Sequence, residues 1–213
     1  MLRFINIPSI KIFFYTLVFL MCFLSNSAKS EKIIAHYDVE WNKINLGNIV
    51  WNFSINFDQY EFFIKIKNSD VLSSLYPFYG EYYSKGKIIN SKFFPSRYFH
   101  KWKTKKKNNF VEINFIDKNI YKFNMAPKKE MEPFIDFYKI HKPKDPLSAA
   151  LELIINNDQR KIKNIFDGRR TYDLSTKEKF RKKIKIKDNY LIGIYNDLEI
   201  NNYKNIWKEH NNK

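Results

Sequence analysis

Every second residue from Ala35 to Trp41 is apolar (Ala35, Tyr37, Val39, Trp41), and His36, Asp38 and Glu40 fall between them. Successive side chains of a strand point to opposite faces, so this alternation predicts a half-buried strand. Ile49, Trp51, Phe53, Ile55 and Phe57 then alternate with Val50, Asn52, Ser54, Asn56 and Asp58, and Phe62, Ile64 and Ile66 with Glu61, Lys65 and Lys67. Asn45-Leu46-Gly47-Asn48 and Asp58-Gln59 read as the intervening turns. Connections this short rule out parallel crossovers and predict an antiparallel meander.

The alternation breaks at Val71–Tyr79, which predicts a short helix or lid-like connection ended by Pro77. Gly80 to Asn90 reads as a strand with a turn at Lys85-Gly86. Pro95 opens another, with Tyr98, His100 and Trp102 on one face. The lysine-rich run Lys101 to Lys107 reads as a hairpin tip, followed by Val111, Ile113 and Phe115, a turn at Asp117-Lys118-Asn119, and Tyr121, Phe123 and Met125. Four of the seven prolines lie between Pro127 and Pro146, so residues 127–145 read as a loop. Asp145-Pro146 places a capping side chain before a proline at the first helical position, and Leu147, Ala150, Leu151 and Ile154 follow at helical spacing. A helix is expected over 146–157. Ile162–Phe166 and Arg169–Leu174 flank Asp167-Gly168, a type I′ hairpin signal. Phe180–Lys187 and Tyr190–Ile200, joined at Asp188-Asn189, complete the sheet, with fraying expected from Asn201.

Ahead of this pattern stands a different one. Met1 to Lys11 carries only positive charge, Ile12 to Leu24 is an apolar block, and Ser25 to Ser30 is mostly small. That layout is a secretory signal peptide over residues 1–30. The apolar block is too short for a membrane anchor, which needs roughly 20 residues. Small residues at −3 and −1 allow cleavage after Ser27 or after Ser30. Cys22, the only cysteine, lies inside this segment and lacks the small preceding residue of a lipobox. The mature chain, residues 31–213, is therefore expected to be one β-rich domain held by its core, without disulfides.

Charge changes the picture less than its size suggests. The chain carries a formal +16, and +13 after cleavage following Ser30. The excess is mostly lysine, accompanied by many asparagines and isoleucines, as an A/T-rich genome produces. No nucleic-acid partner is expected for an exported chain. The Lys101–Lys107 tip is a candidate contact with an anionic membrane surface or polymer.

Several segments together resemble a known family: Ser84-Lys85-Gly86, Phe93-Phe94-Pro95-Ser96-Arg97-Tyr98, Asp145-Pro146-Leu147-Ser148-Ala149-Ala150, and Phe166 to Leu174 (Phe-Asp-Gly-Arg-Arg-Thr-Tyr-Asp-Leu). The chain resembles the bacterial family called domain of unknown function 3108 over most of its mature length. The last two segments are the most specific. The resemblance implies an exported protein of Gram-negative bacteria, located in the periplasm, with no assigned activity. Many members of that family continue with further strands past the equivalent of Ile200.

The residues do not point to catalysis. His36, His100, His141 and His210 stand singly, without the close partners of a zinc site, so no metal and no cofactor are expected. Phosphate loops and Gly-x-Ser-x-Gly elbows are missing. Ser148, at the third helical position, reads as a hydrogen-bonding partner of the cap. Two arginines and two carboxylates lie between Asp167 and Asp173. Arg169 or Arg170 can clamp an anionic head group, or one of them can pair with Asp145 or Asp173 and hold the helix to the sheet. Arg97 has the same two readings. Asp145, Pro146, Asp167 and Gly168 form the structural motif.

Trp51, Phe53, Phe57, Phe62, Tyr98 and Trp102 are expected to line one side of a strongly curved or barrel-like antiparallel sheet wrapped on one main helix. That side is either closed by the helix as core or left partly open as a cleft. The expected ligand residues are Trp51, Phe53, Tyr98, Trp102, Arg97, Arg169 and Arg170. The expected function is a non-catalytic periplasmic protein holding an apolar or amphipathic, lipid-like ligand, with lipid or a membrane surface as partner. The alternatives are a structural or interaction protein of the envelope with a filled core, and a carbohydrate-active or other hydrolase.

Overall fold

A computed structural model describes residues 30–156, 161–186 and 189–208. The signal-peptide reading, the predicted helical end at Asn157 and Asp188 of the last predicted turn lie outside them. Over these residues the chain is mainly β with two α-helices. Strands β1 (Ser30–Trp41), β2 (Ile44–Asn56), β3 (Gln59–Asn68), β4 (Phe78–Ile89), β5 (Lys92–Thr104), β6 (Asn108–Ile116) and β7 (Asn119–Ala126) form one antiparallel sheet in sequence order, with helix α1 (Asp70–Leu75) between β3 and β4. β1 and β7 are its two edges, so this ladder does not close on itself. After the proline-rich loop and a 3-10 turn (Phe137–Lys139) come helix α2 (Pro146–Ile155) and a second antiparallel sheet, β8 (Lys161–Phe166), β9 (Arg170–Ile186) and β10 (Asn189–Asn205), in the order β10-β9-β8.

Two turns of the larger sheet depart from expectation while that at Asp117-Lys118 falls where predicted, and one device serves all three. Three hairpins turn at Asn42-Lys43, Asn90-Ser91 and Asp117-Lys118, each with both residues at positive φ. Each begins with Asn or Asp, which tolerate the left-handed region that a type I′ turn needs. The glycines predicted to turn the chain instead sit inside strands. Gly47 and Gly86 lie at register shifts in β2 and β4, and a Cβ on Gly86 would collide with the carbonyl oxygen of Phe94 on β5. Strand β4 therefore runs straight through Lys85-Gly86, and β5 starts at Lys92, ahead of Pro95. Asp167-Gly168 is not a type I′ turn either, since only Gly168 has positive φ (89°). Asp167 Oδ1 accepts hydrogen bonds from the backbone N–H of both Arg169 and Arg170 at 2.8 Å, making an Asx-type turn. The two predicted strands Arg169–Leu174 and Phe180–Lys187 are one strand, β9.

Helix α2 is buried on two sides. Its cap is as read from the sequence: Asp145 Oδ1 accepts from Leu147 N (2.9 Å) and Ser148 N (3.0 Å), Pro146 occupies the first turn, and Ser148 Oγ donates to the Asp145 carbonyl. Leu147 and Leu151 enter the main core with Tyr60, Phe93, Tyr98, Ile113 and Phe166. Ala149 and Leu153 face the other way, onto Ile162, Ile165 and Leu174 of the smaller sheet. The helix is thus the layer between two sheets.

The predicted fraying from Asn201 does not occur over the described residues, which run to Lys208. β10 runs to Asn205, Ile206 is fully buried, and Trp207 packs against the main core. The Ile206 N–H donates to the Arg169 carbonyl (2.9 Å), and its own carbonyl accepts from Phe134 N (2.8 Å).

Candidate ligand-binding cleft

The registers place the predicted aromatics in rows. One row crosses the larger sheet as Ile33, Phe53, Phe62, Ser84, Tyr98, Ile113 and Phe123, and the next as Ala35, Trp51, Ile64, Tyr82, His100, Val111 and Met125. Trp102, opposite Gly80, lies one pair further along. Trp51, Phe53, Tyr98 and Trp102 therefore share one face, the face that α2 covers. The covering is incomplete: Tyr98 is 1% exposed, but on the β1–β2 side Ile33 is 59% and Trp51 37% exposed. This face is core over β3–β7 and exposed over β1–β2.

The buried polar groups under α2 are all spent on structure. Ser84 Oγ donates to Asp145 Oδ2 (2.9 Å) and lies 3.0 Å from the Tyr60 hydroxyl. Burial raises the Asp145 carboxyl above its usual range, and the helix N–H groups and Ser84 act against that. Glu152, 2% exposed, accepts from Phe93 N (2.7 Å) and from Lys144 Nζ (2.6 Å), and that ammonium also bonds the Phe93 carbonyl. These contacts stitch β4 and β5 to the helix. Both carboxylates are engaged by these partners, and the Ser84 hydroxyl is taken up by Asp145 and Tyr60 rather than by a histidine. Neither arginine pairs with Asp145 or Asp173. Asp173 is held by Asn164 N, Asn202 Nδ2 and Lys161 Nζ.

Arg97 leaves the candidate set. It projects from the opposite face of β5, where its guanidinium binds Glu112 twice, Nε to Oε1 at 2.8 Å and Nη2 to Oε1 at 2.7 Å.

Arg169 and Arg170 come together with Trp102. The Asx turn directs Arg169 over the Trp102 ring, its guanidinium carbon 4.5 Å from the ring centroid. Trp102 in turn packs on His100 (centroids 4.5 Å apart), which stacks on Tyr82 at 4.0 Å. These side chains, with Phe78, Asp167 and Arg170, enclose a cleft of about 310 Å³. A second cleft of about 580 Å³ shares Phe78 and Trp102 and extends past Tyr76 to Lys105, Lys106 and Lys107. A third, about 150 Å³, meets Arg169 and Arg170 from the far side with Lys129 and Lys208. A larger hollow of about 690 Å³ lies along the β7 edge under the proline-rich loop, where Lys128 and Lys129 face three carboxylates, Glu112, Glu132 and Asp136.

Charge around Arg169 is not balanced. Among the described residues Asp167 is the only carboxylate lining the 310 Å³ cleft, and it approaches Arg170 only to 3.9 Å. Among the described residues no carboxylate lies within 4.0 Å of the Arg169 guanidinium, and its buried Nε has no hydrogen-bond partner. His100 Nε2 is likewise buried and unpartnered. Burial, then the charges of Arg169 and Arg170, lower the His100 pKa from 6.5 to about 4, so the imidazole is neutral at neutral pH. The result is a half-buried cation on an aromatic stack, with donors left over. Such a site can hold an anion joined to an apolar body. Among the described residues no group of three or more His, Cys, Asp or Glu is arranged to hold a metal ion. No family model, curated protein or solved structure matches this chain.

Sequence reading had named Trp102, Arg169 and Arg170 but missed Tyr82, Phe78 and the part played by His100. The alternation already set His100 beside Trp102. The signal for Tyr82 was its step of two from Gly80 and Ser84, which puts all three on one face.

Proposed function

We propose that this chain is an exported, non-catalytic binding protein of the periplasm, related to the family called domain of unknown function 3108, that holds an amphipathic anion. The anionic head meets Arg169 and Arg170, and the apolar body runs over Trp102 and Phe78 toward Tyr76, with curvature of the larger sheet adding to the enclosure. A lipid with a phosphate or carboxylate head has this chemistry, and a membrane surface is its source. The observation that supports the reading is the guanidinium of Arg169, stacked on Trp102 at 4.5 Å, with no carboxylate within 4.0 Å among the described residues.

The test is mass spectrometry of lipids extracted from protein purified out of a native envelope fraction. The expected result is a lipid species recovered with the wild type and reduced at least tenfold in Arg169→Gln and Trp102→Ala, a loss of about 1.4 kcal/mol. Recovery of nothing above background would overturn the proposal. It would favour a second reading, a structural or interaction protein of the envelope, which draws support from the filled core over β3–β7 and from the use of Ser84, Asp145 and Glu152 as ties between layers.

A further inference from the structure

The inner face of the smaller sheet continues well beyond the helix that covers it. β8 pairs with β9 only between Thr171 and Ser175, and past that point β9 and β10 form a two-stranded ribbon among the described residues. At the base of this face Leu174 is buried against Ala149 and Leu153. Further along β9 Lys179 still reaches α2, its ammonium capping the Leu153 and Asn156 carbonyls. Among the described residues no layer covers the ribbon beyond Lys179.

What the uncovered face presents is specific. Tyr190, Ile192 and Ile194 of β10 stand in a row, 60%, 70% and 58% exposed. Their partners across the ladder are Lys185, Lys183 and Arg181. Lys183 Nζ lies over the Tyr190 ring, 4.2 Å from its centroid. An apolar row thus runs beside a cationic row along one face of the hairpin. Segment 177–187 holds seven cations (Lys177, Lys179, Arg181, Lys182, Lys183, Lys185, Lys187) and one carboxylate, Glu178. On this face two copies of the ribbon would set like charges together, which disfavours self-association. An anionic bilayer offers both complements at once: phosphates for the cations, and an acyl boundary for Tyr190, Ile192 and Ile194.

We propose that the β9–β10 ribbon docks this protein on an anionic lipid surface, with the Tyr190-Ile192-Ile194 row entering the bilayer interface and Arg181, Lys183 and Lys185 on the head groups. This is a different surface from the Lys101–Lys107 tip considered from sequence, and it does not rest on the ligand assigned to the Arg169 cleft. Co-sedimentation of the full chain with vesicles tests it. Vesicles containing phosphatidylglycerol are expected to carry the protein down and pure phosphatidylcholine vesicles to leave it in solution, with binding weakened by added salt. Arg181→Gln with Lys183→Gln is expected to lower vesicle affinity about 30-fold, and Ile192→Ser with Ile194→Ser to abolish sedimentation while the protein elutes as wild type. Arg169→Gln is expected to sediment normally, which separates this result from failure of the cleft. Equal binding to both vesicle types, or unchanged sedimentation of both double variants, overturns the proposal. So does a dimer in light scattering that Ile192→Ser with Ile194→Ser dissolves, since that outcome assigns the face to a second copy of the chain.

Discussion

Helix α2 and the ribbon beyond Ser175 meet water in opposite ways. Around the helix the carboxylates are buried and both have partners: Glu152 takes Phe93 N and Lys144, and Asp145 takes Ser84 and two helix N–H groups. On the ribbon the charges are many and solvated, and the apolar side chains stand among them exposed. The same antiparallel hydrogen bonding supports both regions, so the ladder is not what separates them. A third layer is what turns a pleated surface into core. Where α2 provides it, burial stabilises the fold, and where it stops, the face is free to meet something else.

The sharpest way to break this contrast is to unpair the charge under the helix. Glu152→Ala leaves Lys144, only 13% exposed, without its carboxylate and Phe93 N without an acceptor. The expected loss is about 3–5 kcal/mol in denaturant unfolding. Replacing both partners with Leu and Met is expected to recover most of it, because an apolar pair of similar volume incurs no desolvation penalty. A loss below about 1 kcal/mol for the single variant would show that water reaches the pair.

An effect of intermediate size comes from His100. Its folded-state pKa of about 4 lies below the ordinary 6.5, so between those values the unfolded chain binds a proton that the folded chain refuses. Stability from the neutral imidazole is complete above pH 6.5 and drains away as pH falls toward 4. Thermal melts of His100→Asn are expected to fall less steeply than wild type across that window. Parallel curves would mean that the ring is better hydrated than its packing between Tyr82 and Trp102 indicates.

The smallest effect belongs to the ribbon. Ile192→Ser with Ile194→Ser is expected to move the unfolding free energy by no more than about 0.5 kcal/mol, since both side chains are more than half exposed. A larger loss in a melt would reveal cover for this face within the chain itself, and the contrast with α2 would collapse.

How much of this was legible depended on whether one face of an element is buried. The strands of the larger sheet were readable because burial of one face writes a period of two into residues such as Ala35, Tyr37 and Val39. The cap of α2 was readable because Asp-Pro acts locally, through bonds to the next three residues. Turn positions were misread where a glycine competed with a nearby Asn or Asp. Gly47 and Gly86 serve close approach between strands, which only the paired strand explains. The span of β9 was obscured by its polar middle, Ser175 to Lys179, which shows no alternation. At the cleft, Trp102 and Arg169 were each singled out, but their contact spans 67 positions and has no local trace. Arg97 was different, because its place between Ser96 and the buried Tyr98 already assigned it to the other face.

Ile206 gives the architecture an order in time. Among the described residues it is the last fully buried apolar one, and its backbone bonds both Phe134 and the carbonyl of Arg169. A polypeptide growing from its N-terminus completes all seven strands of the larger sheet long before it makes this residue. Until then the Phe134 amide and the Arg169 carbonyl lack their partners, and one side of the core is open. The arginine that overlies Trp102 is therefore held in position by a residue made 37 positions after it, so the cleft is finished only once the chain has been made through Ile206.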